Sequence, residues 1–240
     1  MKGFPSYLVL TLILCGSLVF GGVALARPSI DSRSFPLHEA EKATIEIHFG
    51  AGQLNVSGGS MELAEIEFDY STPRWKPEIE HSTIREEGFL RLRHPTTIFG
   101  FFHLGAIRNS WDIKLNNTLP LDLEIRMGAG KSDLKMGWLN LHRLDVKGGA
   151  GEVVLDLTGR WKIDCSITVE MGVGNLHLIL PDEAGVRLRA RTGIGTLDVG
   201  SLVQHNDAYI NSHFGKAPVT LDINLKSGIG PVTVEEQQAR

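Results

Sequence analysis

LDLEIRMGAGKSDLKM, residues 121–136, is followed by LHRLDVKGGAGEVVLDL at 141–157, CSITVEMGVGNLHLIL at 165–180 and GVRLRARTGIGTLDV at 185–199. Each segment is an apolar alternation, a Gly-x-Gly and a second alternation. The leading glycines, Gly128, Gly149, Gly172 and Gly193, lie 21, 23 and 21 residues apart. Period-two alternation is the signature of strands, and a fixed period in the twenties marks a solenoid in which each repeat leaves an apolar face for its neighbour to cover. Two more copies bracket the stretch: Ile45, Ile47, Phe49, Gly50-Ala51-Gly52, Leu54, Val56, and Leu221, Ile223, Leu225, Gly228-Ile229-Gly230, Val232, Val234. The expected fold is all-β, a single-domain β-solenoid stacked like a parallel β-helix with coils about 4.8 Å apart.

Counted from the first glycine, apolar residues usually sit at −5 and −3, at +1, and at +4 and +6, Ser132 being an exception. The inward parity therefore slips by one near the second glycine, as at a corner between two sheets. The structural corners are Gly50, Gly52, Gly128, Gly130, Gly149, Gly151, Gly172, Gly174, Gly193, Gly195, Gly228 and Gly230. Glycine is wanted where corners approach closely and where φ is positive.

Working outward, the gap of 78 residues from Gly50 to Gly128 holds further alternations at 64–70, 78–81, 89–93 and 111–115, read as irregular coils of the same stack. The gap from Gly195 to Gly228 is one period plus an insertion at 201–217. Residues 1–26 read as an export signal: Lys2, apolar runs at 7–14 and 18–20, and Ala24-Leu25-Ala26 before Arg27. An uncleaved anchor is the alternative, since 7–26 is uncharged and long enough to span a bilayer. Lipidation of Cys15 is a third reading, against which Leu14 stands where a lipoprotein signal wants a small residue. All three place the chain in the periplasm, the cell envelope or outside. Residues 27–40, with Pro28 and Pro36, read as a tether, 41–236 as the solenoid and 237–240 as a polar tail.

The net charge of −4 over 240 residues is mild and argues neither for nucleic acid nor for an anionic membrane surface as partner, and no nucleic-acid partner is expected. Once residues 1–26 are removed, Cys165 is the only cysteine, so no internal disulfide forms; it sits on the inward parity as a small buried hydrophobe. Gly130-Lys131-Ser132 imitates the end of a phosphate-binding loop, but the leading glycine is missing at Ile125 and a strand pattern follows instead of a helix. The nine histidines are scattered without metal-ligand spacing, and Glu78 and His81 fall on opposite faces of a strand. The outward acids Asp122, Glu124, Asp156, Asp198 and Asp222 suit solubility as well as chemistry, and no paired acids in a cleft are evident. No catalytic, cofactor-binding or metal residue is assigned, and no cofactor is expected.

Several phrases carry a family resemblance: Trp75-Lys76-Pro77-Glu78, Asn109-Ser110-Trp111-Asp112-Ile113, Leu115-Asn116-Asn117, Pro120-Leu121-Asp122-Leu123, the GAG, GVG and GIG corners, Tyr209-Ile210-Asn211 and Phe214-Gly215-Lys216. In this order they resemble the bacterial toast-rack domains, which are similar to the C-terminal domains of LiaF-like cell-wall-active antibiotic response proteins and to a wider group of candidate surface adhesins. The resemblance implies a β-solenoid in a membrane or envelope protein and brings no catalytic residues. It makes an adhesin-like binding or assembly module the leading expectation, with an envelope protein or glycan as partner, and a LiaF-like envelope-stress sensor the alternative.

One window breaks the alternation. Ile98, Phe99, Phe101, Phe102 and Leu104 crowd into ten residues that a single inward face cannot bury. They form the candidate contact loop: either a cap over an open end of the solenoid, or an exposed patch for a partner or a membrane.

Overall fold

The computed structural model describes residues 29–95 and 108–237. The export segment, Cys15 and the candidate contact loop Ile98, Phe99, Phe101, Phe102 and Leu104 lie outside the described residues. Among those described, fifteen strands run in order as β1 (Ser29–Phe35), β2 (Lys42–Ser60), β3 (Ala64–Tyr70), β4 (Glu78–Ile84), β5 (Glu87–Arg93), β6 (Asn109–Asn116), β7 (Leu121–Lys135) and β8 (Leu141–Asp156). Then come β9 (Cys165–Pro181), β10 (Gly185–Ile194), β11 (Leu197–Asp198), β12 (Val203–His205), β13 (Ala208–Ile210), β14 (Thr220–Ile229) and β15 (Val232–Gln237). The chain is nearly all-β and its sheet does not close into a barrel, in keeping with the expected solenoid.

The long strands bend at Gly-x-Gly into two limbs, and both limbs turn an apolar face to one core. In β7 the buried positions are Leu121, Leu123, Ile125 and Met127 before the corner and Ser132 and Leu134 after it, so the parity does slip by one. The +1 residue departs from expectation. It is apolar but faces outward, Val173 being 50% exposed, because four consecutive corner positions lie outside both faces.

Coils stack in register and in parallel: Ala51 opposite Ala129, Ala129 opposite Ala150, Ala150 opposite Val173. The stack does not follow chain order at its far end, where β14 lies between β9 and β10. The insertion explains this: β13 folds back antiparallel onto the outer edge of β10 at Arg187 and Leu188, with β12 beyond it, so the next coil takes the inner edge.

The two glycines of each corner answer different demands. A Cβ on Gly128, Gly149, Gly172, Gly228 or Gly193 would overlap the carbonyl oxygen of the first glycine in the coil beneath, and these corners need only close approach. The second glycines form a parallel ladder, Gly52, Gly130, Gly151, Gly174, Gly230 and Gly195, in which a Cβ would meet the carbonyl of the second glycine next to it, or of Asn109 for Gly52, and φ is positive as well, 136° at Gly174.

Gly50 stacks directly beneath Gly128, so the residues between them do not separate these coils. They close the near end instead. β5 continues the first limb beside Lys42–His48 in β2, and β6 continues the second limb beside Gln53–Ser60, together making one irregular terminal coil. Beyond it, β4 pairs antiparallel with β5, and β3 with β6. The outermost strand on the second-limb side is β1, in the stretch expected to be a tether. Ser29–Phe35 pairs with Ala64–Tyr70 along its whole length, with Phe35 buried. Two prolines flank it, and an edge strand tolerates them there. At the other terminus β15 pairs with β9 through Gln237, so strand structure reaches the first residue expected in the polar tail.

Candidate functional site

Parallel, in-register stacking turns each outward sequence position into a straight row of side chains across the sheet. Beside the corner runs Arg93, His48, Arg126, Lys147, Glu170, Lys226 and Arg191. Two residues farther out runs Arg91, Glu46, Glu124, Asp145, Thr168, Asn224 and Arg189, acidic in its first half. Ion pairs knit the rows. Arg91 reaches Glu46 at 2.6 Å and Glu80 at 2.9 Å, Glu170 is held by Lys226 at 3.1 Å and Lys147 at 3.8 Å, and Asp222 takes both Arg187 and Arg189. The Arg91 guanidinium holds the Glu46 carboxyl below the usual carboxylate range, as Arg187 does for Asp222. Exposed pairs of this kind are screened by solvent and contribute little to stability, so they set surface charge more than fold.

The outward acids stand on four strands or strand ends, Asp122 and Glu124 sharing β7, and four of the five have structural partners. Asp156 accepts from the Thr158 amide at 2.8 Å, Asp198 from the Gly200 amide at 3.0 Å, Glu124 pairs with Arg126, and Asp222 is doubly engaged. Asp122 lies at the margin of a shallow surface depression with Lys42, Glu87 and His142. Lys131, the phosphate-loop mimic, is an exposed strand residue paired with Glu152 at 3.0 Å. Cys165 is buried, and burial pushes its thiol up to about 12, which leaves it unreactive.

The corner row is the feature that the sequence pattern did not flag. Ala51, Ala129, Ala150, Val173, Ile229 and Ile194 follow one another along the outside of the bend. The signal was present in the +1 apolar position, which periodicity alone assigns inward. At the near end this row meets an aromatic nest. His94, 7% exposed, stacks on Trp111 with ring centroids 6.1 Å apart and meets Phe49 and Trp75 edge-on. By register His94 and Asn109 stand where the terminal coil would carry its corner, and the Asn109 side-chain amide donates to the Ala51 carbonyl at 2.6 Å. The described residues on either side of the candidate contact loop thus lie next to a corner position.

The family model of the N-terminal domain of toast_rack (DUF2154) matches residues 26–179. Among solved structures, a candidate cell adhesion protein from Clostridium sporogenes is 30% identical, with a TM-score of 0.85 over 88% of this chain and 100% of its own. Candidate adhesins from Bacteroides fragilis (13% identity, TM-score 0.34, 86% of this chain and 97% of that one) and Parabacteroides distasonis (12%, 0.27, 88% and 98%) are far more distant. A search of curated proteins finds no match. The matched residues run from the start of β1 through almost all of β9, and they include the capping strands and four of the six glycine corners; the chain belongs to the toast-rack family.

Proposed function

We propose that this protein is an exported, non-enzymatic module of the cell envelope that binds an envelope protein or glycan through its rigid outer faces, in the manner of an adhesin. The observation that carries the reading is the in-register stack, which presents side chains in straight rows at a fixed spacing of about 4.8 Å. Such rows suit an extended or repetitive partner. They require no cleft: one surface depression among the described residues, about 580 Å³ along β1, β3 and β6, is an open groove lined by residues such as Arg33, Glu67 and Lys114. The export pattern of residues 1–26 and the Clostridium relative, itself named for cell adhesion, support the same reading.

The test is fractionation of cells expressing the full chain, followed by crosslinking on intact cells. The expected result is an envelope-associated chain crosslinked to an envelope protein or glycan. A chain retained in the cytoplasm, or hydrolysis of an envelope polymer by the purified protein, overturns the proposal. Capture of a membrane kinase or regulator as the main partner would instead identify a LiaF-like sensor.

A further inference from the structure

The corner row changes character along the stack. Over β2, β7 and β8 it carries only Ala51, Ala129 and Ala150, and an ion pair between Lys131 and Glu152 flanks it on the second-limb side. Over β9, β14 and β10 it carries Val173, Ile229 and Ile194, which are 50, 48 and 73% exposed. Their second-limb flank is uncharged, formed by Asn175, Pro231 and Thr196. Their first-limb flank is basic. Lys147, Lys226 and Arg191 surround the single acid Glu170, which both lysines engage, and Arg191 has no acidic partner within 4.0 Å among the described residues.

These features make a convex, branched-aliphatic ridge with cations along one side and the uncharged strip Asn175, Pro231 and Thr196 along the other, Asp198 lying two residues beyond Thr196. The glycine ladder beneath packs the corners backbone against backbone, which sets these side chains on the outside of the bend. A hydrated polysaccharide would use the cations and leave the aliphatic side chains exposed to water. A bilayer surface uses both, since aliphatic side chains enter the headgroup–acyl boundary while neighbouring Lys and Arg reach anionic phosphates. We infer that the β9–β14–β10 corner, through Val173, Ile229, Ile194, Lys226 and Arg191, is a docking edge for an anionic phospholipid surface. The inference rests on the envelope reading for its setting, but the edge itself can be tested without it.

The test is sedimentation of the isolated full chain with phosphatidylglycerol vesicles and with phosphatidylcholine vesicles, so that residues 1–26 contribute equally to every variant. The expected result is preference for phosphatidylglycerol, weakened by salt. Lys226→Gln with Arg191→Gln should weaken binding about 25-fold, from about fivefold for each cation near the surface. Ile194→Ser with Ile229→Ser should weaken binding at least tenfold with unchanged circular dichroism, since both side chains project from the fold. As an independent readout, Ile194→Trp should shift its emission to the blue on phosphatidylglycerol vesicles, whereas Ala129→Trp should not. Binding equal on the two lipids and indifferent to these substitutions overturns the inference. Retention on an acidic polysaccharide that depends on the cations but not on the isoleucines overturns it in favour of a glycan. Export with no vesicle preference defeats this inference alone, and vesicle binding by a chain that stays in the cytoplasm defeats only the envelope reading.

Discussion

The stack of β2, β7, β8, β9, β14 and β10 and the terminal assembly of β1, β3, β4, β5 and β6 use the same alternating strands to different ends. In the stack every coil meets a copy of itself in parallel, so one local solution, two glycines and a fixed parity, is repeated six times. At the near end there is no further copy to meet. Antiparallel pairing takes over, and large aromatic residues fill what the glycine ladder no longer shapes: Trp111 packs edge-on against Phe49 and Phe68, each with centroids 5.2 Å away. A repeat protein needs such a terminus, since an open coil would expose both core and unpaired strand edge.

The sharpest way to break the comparison is to put the wrong group inside the stack. Leu155→Asp buries an unpaired carboxylate at a fully buried position, and Gly174→Val drives a side chain into the Gly151 carbonyl at a positive φ. Each should cost more than about 3 kcal/mol and abolish the cooperative urea transition. A folded, thermostable Leu155→Asp would mean the inward parity is misassigned. The corresponding change at the cap, Trp111→Ala, should cost about 3–5 kcal/mol, the usual range for emptying a buried aromatic site. Its effect should be local: hydrogen exchange should quicken in β3 and β6 while β8 and β9 stay protected, as nearest-neighbour coupling in a solenoid requires. Uniform loss of protection would show that cap and stack form one cooperative unit.

A milder contrast separates backbone conformation from close approach. Gly59 has φ 119°, yet no atom lies within 4 Å of the point where a Cβ would stand, unlike Gly52, which sits under Asn109. Gly59→Ala should therefore cost only about 1 kcal/mol by thermal melting, far less than Gly52→Ala. Equal costs would remove close approach from the account of the corners.

The smallest effect is on pH dependence, and it belongs to the cap. Burial holds the His94 imidazole below its ordinary value, and burial does the same at His81, helped by neighbouring His38. The unfolded chain therefore binds more protons than the folded one once pH falls below about 6.5, so stability contributed by the neutral rings is present above that pH and is lost as pH drops further. Glu46 and Asp222, whose folded values are depressed by their arginines, add a separate loss only below about pH 4. The urea midpoint should fall between pH 7.5 and 5.5, and less steeply in His94→Phe. A flat wild-type profile in that window would contradict the burial of His94.

The repeat was legible because each coil restates it. Leu123, Ile125 and Gly128-Ala129-Gly130 announce a strand, a face and a bend within eight residues, and the neighbours they need are copies of themselves. What depends on closure was not legible. Nothing local in Ser29–Phe35 announces a strand, because its partner at Ala64–Tyr70 supplies the pairing. Spacing along the chain likewise cannot say that Gly228 comes to rest on Gly172, since that follows from β13 occupying the outer edge of β10. The family phrases around Asn116 and Asn211 gain a physical sense only in three dimensions. Asn116 accepts from the Thr118 and Leu119 amides and donates to the Ser60–Glu62 turn, while Asn211 spans Ala184 and Val186, so each ties a turn to a distant segment. The corner row is hidden for a related reason: apolarity at +1 is visible in the sequence, but its outward direction is set by the bend.

The order of the stack is the claim on which the corner row, the charged rows and the docking edge all depend, and disulfide trapping tests it directly. Neighbouring coils about 4.8 Å apart fall within the Cα separation that a disulfide spans, whereas coils two apart do not. In a Cys15→Ser background, with Cys165 buried and protonated, Val173→Cys with Ile229→Cys should oxidise within the chain, as should Ile229→Cys with Ile194→Cys. Val173→Cys with Ile194→Cys should remain reduced. Efficient oxidation of that last pair, with no bond between positions 173 and 229, would put the coils in chain order and contradict the account.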